Sequence, residues 1–406
     1  MSNPIIIVGA GQAGGQAAVS LRLMGYDGPV LLIGDEGHVP YERPPLSKAL
    51  LAGEIPTERI YLKRPDYYEQ HKIDLRLGAR VTTIDRAAKI VRLESREALA
   101  YGKLLLATGS KVRKLPVTGA ELPGVHYLRT ITDVEAIKES LTPGARVAIV
   151  GGGYIGLEVA AVMTKLGAKV TVIEVLDQLM ARAMAPEVAN FFERVHRAHG
   201  VDIRLKTAVT GFEAGALGQV ANVATNTDEA IPADLVIIGI GILPETGLAE
   251  AAGLEVDNGI VVDDCGRTSD PNVFAAGDCT NHPNALLDRR LRLESVQNAV
   301  SQGKAAAAAI IGKPAPYAEV PWFWSDQYDL KLQIVGLSEP GDQVVLRGSM
   351  DEAKFSACYL RDGVFVAINC INALRDFTAA KKLVAGRARP DPAKLTDAGI
   401  PLKEFE

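Results

Sequence analysis

Short apolar runs recur along the chain, and each is stopped by a glycine or an acid. Ile5-Ile6-Ile7-Val8 leads into Gly9-Ala10-Gly11-Gln12-Ala13-Gly14, and Val147-Ala148-Ile149-Val150 leads into Gly151-Gly152-Gly153-Tyr154-Ile155-Gly156. Apolar residues at consecutive rather than alternating positions predict strands buried on both faces, the habit of parallel sheets. A helix-favouring stretch follows each glycine turn. A second strand then ends at an acid, Val30–Ile33 before Asp35 and Val170–Ile173 before Glu174. Leu104-Leu105-Leu106-Ala107-Thr108-Gly109 closes the first unit, and Leu235-Val236-Ile237-Ile238-Gly239-Ile240-Gly241 closes the second. Residues 81–103 and 201–233 read as meanders of short β segments. Val273–Ala276, ending at Gly277-Asp278, returns the chain to the first unit. After Pro321, strand-like runs (Lys331–Val335, Gln343–Arg347, Phe355–Leu360, Val364–Asn369) lead to a helix at Ala373–Leu383, an α+β tail. Boundaries are expected near 112, 243 and 320, giving a discontinuous first domain (1–112 and 243–320), an inserted second (113–242) and a tail (321–406).

The glycine spacing carries chemistry. In G-x-G-x-x-G the first glycine allows a tight turn, the second lets a pyrophosphate approach the backbone, and the third lets helix pack against strand. Free amides and the positive end of the helix dipole then face the phosphates. The acid at the end of the second strand can accept hydrogen bonds from a ribose. One such motif is weak; strand, motif, helix, strand and acid found twice in one chain predict two bound dinucleotides. Retention of both folds as bare scaffold is the structural alternative.

Composition narrows the reading. The 406 residues allow two or three domains, and 48% hydrophobic with 23% charged residues is ordinary for a globular protein. The net charge of −5 argues against general nucleic-acid binding. No apolar run is long enough to span a bilayer, and no basic leader precedes the first motif, so no membrane or signal segment is read and the expected location is cytoplasmic. The four cysteines (Cys265, Cys279, Cys358, Cys370) form no close pair, so neither a metal site nor a dithiol centre is expected. Cys279 reads as a small buried hydrophobe.

Further stretches carry a family resemblance: Pro44-Pro45-Leu46-Ser47-Lys48, Ala107-Thr108-Gly109, Gly277-Asp278-Cys279, Glu294–Ala299 and Pro321–Gln327, in that order beside the two glycine motifs. Over essentially its whole length the chain resembles the FAD-dependent, NADH-oxidising ferredoxin reductases that serve bacterial haem-thiolate monooxygenases and aromatic-ring dioxygenases. The resemblance implies an α/β fold, two Rossmann-like dinucleotide-binding domains in a glutathione-reductase-like arrangement, plus the α+β C-terminal domain. It implies FAD in the split domain, held by Gly9, Gly11, Ala13, Gly14, Asp35, Lys48, Val81, Ala107, Thr108, Gly109, Arg129, Asp278 and Val296. NADH falls to Gly151, Gly153, Tyr154, Ile155, Gly156, Glu158, Glu174 and Gly241. Lys48 is expected to pair with Glu158 across the domain boundary near the site of hydride transfer, and Trp324 to lie on the electron path or docking surface. The structural alternatives are a solvated lysine, a helix-face carboxylate and core tryptophans.

Glu174 favours NADH, because it can bond a free 2′-hydroxyl and repels a 2′-phosphate. Arg182 reads either as a cofactor contact or as surface. Without a thiol relay the electron acceptor must be external. The expected partner is a [2Fe-2S] ferredoxin, with Lys63, Arg64, Lys304, Lys331 and Arg289-Arg290 as docking candidates. The nearest alternative is an NADH-dependent flavin reductase of a small acceptor such as monodehydroascorbate or a quinone. An apoptosis-factor type of protein would want a basic surface and a targeting sequence.

Overall fold

A computed structural model describes residues 3–181, 184–227 and 229–405. The chain forms two compact units. One comprises the chain up to Arg43, Thr57–Lys111 and Ile242–Pro321; the other comprises Pro44–Pro56, Val112–Gly241 and the chain from Trp322 onward.

The first unit is built on a five-stranded sheet ordered Val273–Ala275, Lys103–Leu106, Ile5–Val8, Val30–Ile33 and Ile73–Arg76. All neighbours run parallel, with Ile5 beside Val30 and Lys103. Consecutive apolar residues are needed because both faces are covered: Ile5, Ile6 and Ile7 are all buried. The helices Gln12–Leu23 and Val296–Ile310 pack together on one face. Close approach there comes from small residues, since a methyl on Gly303 would stand 2.7 Å from the Ala13 carbonyl oxygen. Residues 81–100 form a three-stranded antiparallel meander.

The second unit repeats the scheme, with order Asp202–Arg204, Lys169–Ile173, Arg146–Val150, Leu235–Ile238 and Val125–Tyr127, again parallel. It also contains a five-stranded antiparallel sheet ordered Trp322–Gln327, Leu330–Gly336, Val364–Ile371, Lys354–Arg361 and Gln343–Ser349. The helix Leu374–Ala385 covers this sheet. Four of these strands answer to the tail runs of the sequence. The fifth, Trp322–Gln327, forms an edge.

Residues 44–56, expected in the first domain, group with the second unit. Proline rigidity accounts for the local turn, since Pro44-Pro45 open a 3-10 helix (Pro44–Ser47) that packs on the helix Tyr154–Lys165. Lys48 and Glu158 therefore belong to one unit, not to two. Among the described residues, no helix is long and apolar enough to cross a membrane.

Candidate functional site

Each glycine motif has the geometry its spacing demands. Gly9 sits at φ +110°, and a methyl there would lie 2.1 Å from the Ala107 carbonyl oxygen. A methyl on Gly14 would lie 1.9 Å from the Gly9 carbonyl oxygen, whereas one on Gly11 would meet no protein atom within 4 Å. The second motif matches: Gly151 (φ +109°) is 2.5 Å by the same measure from the Gly239 oxygen, Gly156 is 2.1 Å from the Gly151 oxygen, and Gly153 meets nothing within 4 Å. Two glycines of each trio are filled by protein and the middle one leaves a cradle for a ligand. Both trios thus fit a dinucleotide pyrophosphate. Gly241 likewise has positive φ (+106°) and no protein atom within 4 Å.

The ribose acids differ. Asp35 is exposed and pairs with Arg80 at 2.9 Å. Beside it Glu36 holds Arg43 (2.6 Å) and Tyr41, an acidic–basic knot the sequence did not announce. Glu174 folds back on its own cradle, accepting from Gly152 N (2.7 Å) and Leu176 N (2.9 Å). The first contact fixes the turn that carries the middle glycine.

At the same carboxyl edge of the first sheet, where a methyl on Gly277 would stand 3.0 Å from the Ala13 side chain, Asp278 follows Gly277 and accepts from Ser110 Oγ at 3.2 Å. Gln302 anchors this turn, its Oε1 accepting from Gly277 N (2.7 Å) and Thr280 Oγ1 (2.8 Å). Thr108 Oγ1 donates to the Glu245 carbonyl (2.6 Å), Gly109 has φ +64°, and Val81 is buried. Val296 opens the helix Val296–Ile310, whose N-cap Ser295 accepts from Asn298 N. Val296 is half-buried, unlike a core valine. The side-chain carbonyls of Gln297 and Asn298 in that first turn are buried without a partner. Unpaired buried acceptors call for a donor from elsewhere, so this helix start suits a polar ring system. Arg129, half-buried, binds Asp133 through its backbone amide and belongs to the second unit.

In the second unit the Lys48 ammonium lies 2.7 Å from Glu158 Oε2, with side chains 18% and 5% exposed. Neither is a solvated surface charge. Ser47 Oγ donates to the same oxygen, and Ser325 Oγ donates to Oε1 at 2.6 Å. The helix Tyr154–Lys165 supplies Glu158 one turn beyond the glycine cradle. Tyr154 at its start meets Phe323 edge-on at 4.8 Å, and burial pushes its phenol up. Ile155 is 43% exposed.

The edge strand Trp322–Gln327 has two faces. Phe323, Ser325 and Gln327 make the contacts to Tyr154, Glu158 and His196. Trp322 and Trp324 alternate with them, ring centroids 5.8 Å apart, and Lys381 lies 4.2 Å over Trp322. Trp324 is half-buried. Lys63, Arg64 and Lys304 are exposed in the first unit, and Lys331 in the second. Arg290 is spent locally on Asn281 and the Val262 carbonyl. Arg182 lies outside the described residues.

All four cysteines are free and buried. Burial raises each thiol, Cys265 to about 11. None is poised as a nucleophile, and Cys279 is a packed hydrophobe.

Two dinucleotide cradles, a clamped Lys–Glu pair and no reactive thiol define a flavoprotein-type oxidoreductase fold that lacks a dithiol relay. Residues 3–303 match the pyridine nucleotide-disulphide oxidoreductase family, to which the chain belongs, and residues 322–406 match the reductase C-terminal family. The chain is 45% identical to a ferredoxin–NAD(P)(+) reductase of a Sphingomonas species, covering 99% of this chain and 97% of that one. It is 47% identical to the 5,5'-dehydrodivanillate O-demethylase ferredoxin reductase subunit of Sphingobium sp. (strain NBRC 103272 / SYK-6), over 98% and 97%. Among solved structures, the covalent putidaredoxin reductase–putidaredoxin complex matches with a TM-score of 0.96 and 42% identity, over 99% and 98% of the two chains.

Proposed function

We propose that this chain is an NADH-dependent ferredoxin reductase of an oxygenase system, passing electrons from NADH through FAD to a [2Fe-2S] ferredoxin in the cytoplasm. The observation that carries it is the buried Glu158, one turn past the second cradle and paired with Lys48. When bound, FAD supplies the conversion of a two-electron hydride into two single-electron transfers. The first unit holds it through Gly9, Gly11, Gly14, Asp35 and Asp278, and the dipole of Val296–Ile310 favours negative charge at that helix start. The second holds NADH through Gly151, Gly153 and Glu174. Lys48 and Glu158 would orient the nicotinamide and balance local charge without themselves exchanging a proton.

The buried thiols offer no dithiol relay, so electrons leave to an external acceptor, which we read as the ferredoxin. Trp324, half-buried on an edge strand, serves that exit, and Lys63, Arg64, Lys304 and Lys331 attract an acidic partner. Turnover with a purified ferredoxin and cytochrome c, against a panel including quinones and monodehydroascorbate, tests the assignment. Preference for a small acceptor, with ferredoxin inert, would replace this reading by that of a small-acceptor reductase. Added salt should suppress ferredoxin-coupled turnover several-fold and leave NADH–ferricyanide turnover unchanged. Equal salt response of the two assays would remove electrostatic docking.

Coenzyme choice is a separate expectation. Replacing Glu174 by Ala removes the charge that opposes a 2′-phosphate, and should shrink the NADH-over-NADPH ratio of kcat/KM by about tenfold, ~1.4 kcal/mol. An unaltered ratio would mean that selection is made by other groups.

A further inference from the structure

Glu158 is also the end of a hydrogen-bonded chain that crosses the second unit. Ser325 Oγ lies 2.6 Å from Glu158 Oε1, and Gln327 Nε2 lies 3.2 Å from Ser325 Oγ. Gln327 Oε1 lies 2.9 Å from His196 Nε2, and the Tyr328 hydroxyl lies 3.2 Å from His196 Nδ1. Glu158, Ser325, Gln327 and His196 are 4%, 0%, 1% and 0% exposed.

The direction of every bond follows from the acceptor at its end. A carboxylate only accepts, so Ser325 must donate its one proton to Glu158. Its oxygen is then open to a donor, which the Gln327 amide nitrogen provides. The flipped amide would set two oxygens against each other, so its orientation is fixed. Gln327 Oε1 therefore accepts, and His196 must carry its proton on Nε2. Burial keeps this imidazole neutral, lowering it to about 4. Its bare Nδ1 then receives the Tyr328 hydroxyl. Every donor points toward Glu158, an arrangement in which each bond polarises the next.

Such a string is costly to bury, and an apolar trio could fill the same space. What it adds is definition. Ser325 Oγ is tied on both sides, to Gln327 and to Glu158, and Lys48 with Ser47 occupies the opposite carboxylate oxygen.

We propose that Gln327, His196 and Tyr328 are positioning residues for hydride transfer: acting through Ser325, they fix the rotamer of Glu158 and so the placement of the Lys48 ammonium. The proposal rests on the reading that this ion pair serves flavin reduction. It places that control on Trp322–Gln327, the strand that also carries Trp324.

The test uses FAD-loaded protein and stopped-flow bleaching of the flavin by NADH. Q327L and H196F remove links, H196Q keeps a donor near the Nε2 position, and Y328F releases the half-buried end. Q327L and H196F should slow flavin reduction roughly tenfold, with little change in the NADH concentration giving half-maximal rate. H196Q should recover most of the rate, and Y328F should lose about two- to threefold. In an E158A background none of them should slow the reaction further, because the chain acts only through that carboxylate. Wild-type rates in Q327L and H196F, or losses that multiply with E158A, overturn the proposal while the reading of the ion pair stands. A wild-type rate in E158A sinks the ion-pair reading itself, and the proposal with it. Should Q327L lose its FAD, a wild-type rate in Y328F overturns the proposal and a slowed Y328F rescued by neither salt nor excess NADH supports it.

Discussion

Flavin reduction by NADH is expected to slow by about 10²-fold in the E158A protein, with FAD still bound. Glu158 neutralises a lysine that is only 18% exposed and accepts from two serine hydroxyls. Removing the carboxylate leaves an ammonium with no counter-charge in a desolvated corner, takes from Ser325 its acceptor, and leaves Ser47 only the long 3.4 Å bond to the Pro44 carbonyl. Breaking such a pair costs about 3–5 kcal/mol in fully buried cases. The lysine can turn partly to water here, so the loss of stability should fall below that range. The 10²-fold slowing, about 2.7 kcal/mol, is expected on the proposed reading because an ammonium that swings to solvent would no longer orient the nicotinamide. E158Q keeps one oxygen for Ser325 and should lie between the two. Stopped-flow absorbance at the flavin band, with FAD content from the released cofactor, checks both halves. Equal rates in wild type and E158A would show that the pair is structural.

That pair shows what a sequence can and cannot give. The two cradles were legible because backbone geometry leaves no choice of residue: Gly9 and Gly151 stand at φ +110° and +109°, and no side chain fits against the Ala107 and Gly239 carbonyls. The strands were legible for a related reason, since burial on both faces requires unbroken apolar runs. Partners made by tertiary packing left no such mark. Lys48 reached Glu158 only through family resemblance, and Ser325, Gln327 and His196 were not expected at all. Ser and Gln on a strand look like any polar edge until the facing helix supplies a carboxylate. Hindsight offers one signal: in Phe323-Ser325-Gln327 the face opposite the tryptophans is polar at two of three positions, which an ordinary core-facing strand would avoid. The knot of Glu36, Tyr41 and Arg43 was overlooked because its members lie close in a loop whose course no periodicity reports.

The glycine cradles yield the sharpest contrast between folding and binding. G156A places a methyl 2.1 Å from the Gly151 carbonyl oxygen, a backbone atom that can move only if helix and strand separate. Overpacking usually costs 1–3 kcal/mol, roughly, and a collision with backbone lies at or above the top of that range. The G156A protein should therefore melt well below wild type or fail to accumulate. G153A is different in kind. No protein atom lies within 4 Å of the added methyl, and glycine at this N-cap has φ −81°, which alanine tolerates. Its melting temperature should match wild type. On the proposed reading the methyl would stand in the path of the pyrophosphate, so KM for NADH should rise by about tenfold or more. The same pairing should hold in the first unit, where G14A loses the fold and G11A loses FAD from an otherwise folded chain. Melting curves and cofactor titrations on the four proteins separate the two roles. A G153A protein with normal KM would mean that NADH does not cross this turn. The binding assignment of the second unit would then have to be redrawn, although its fold would stand.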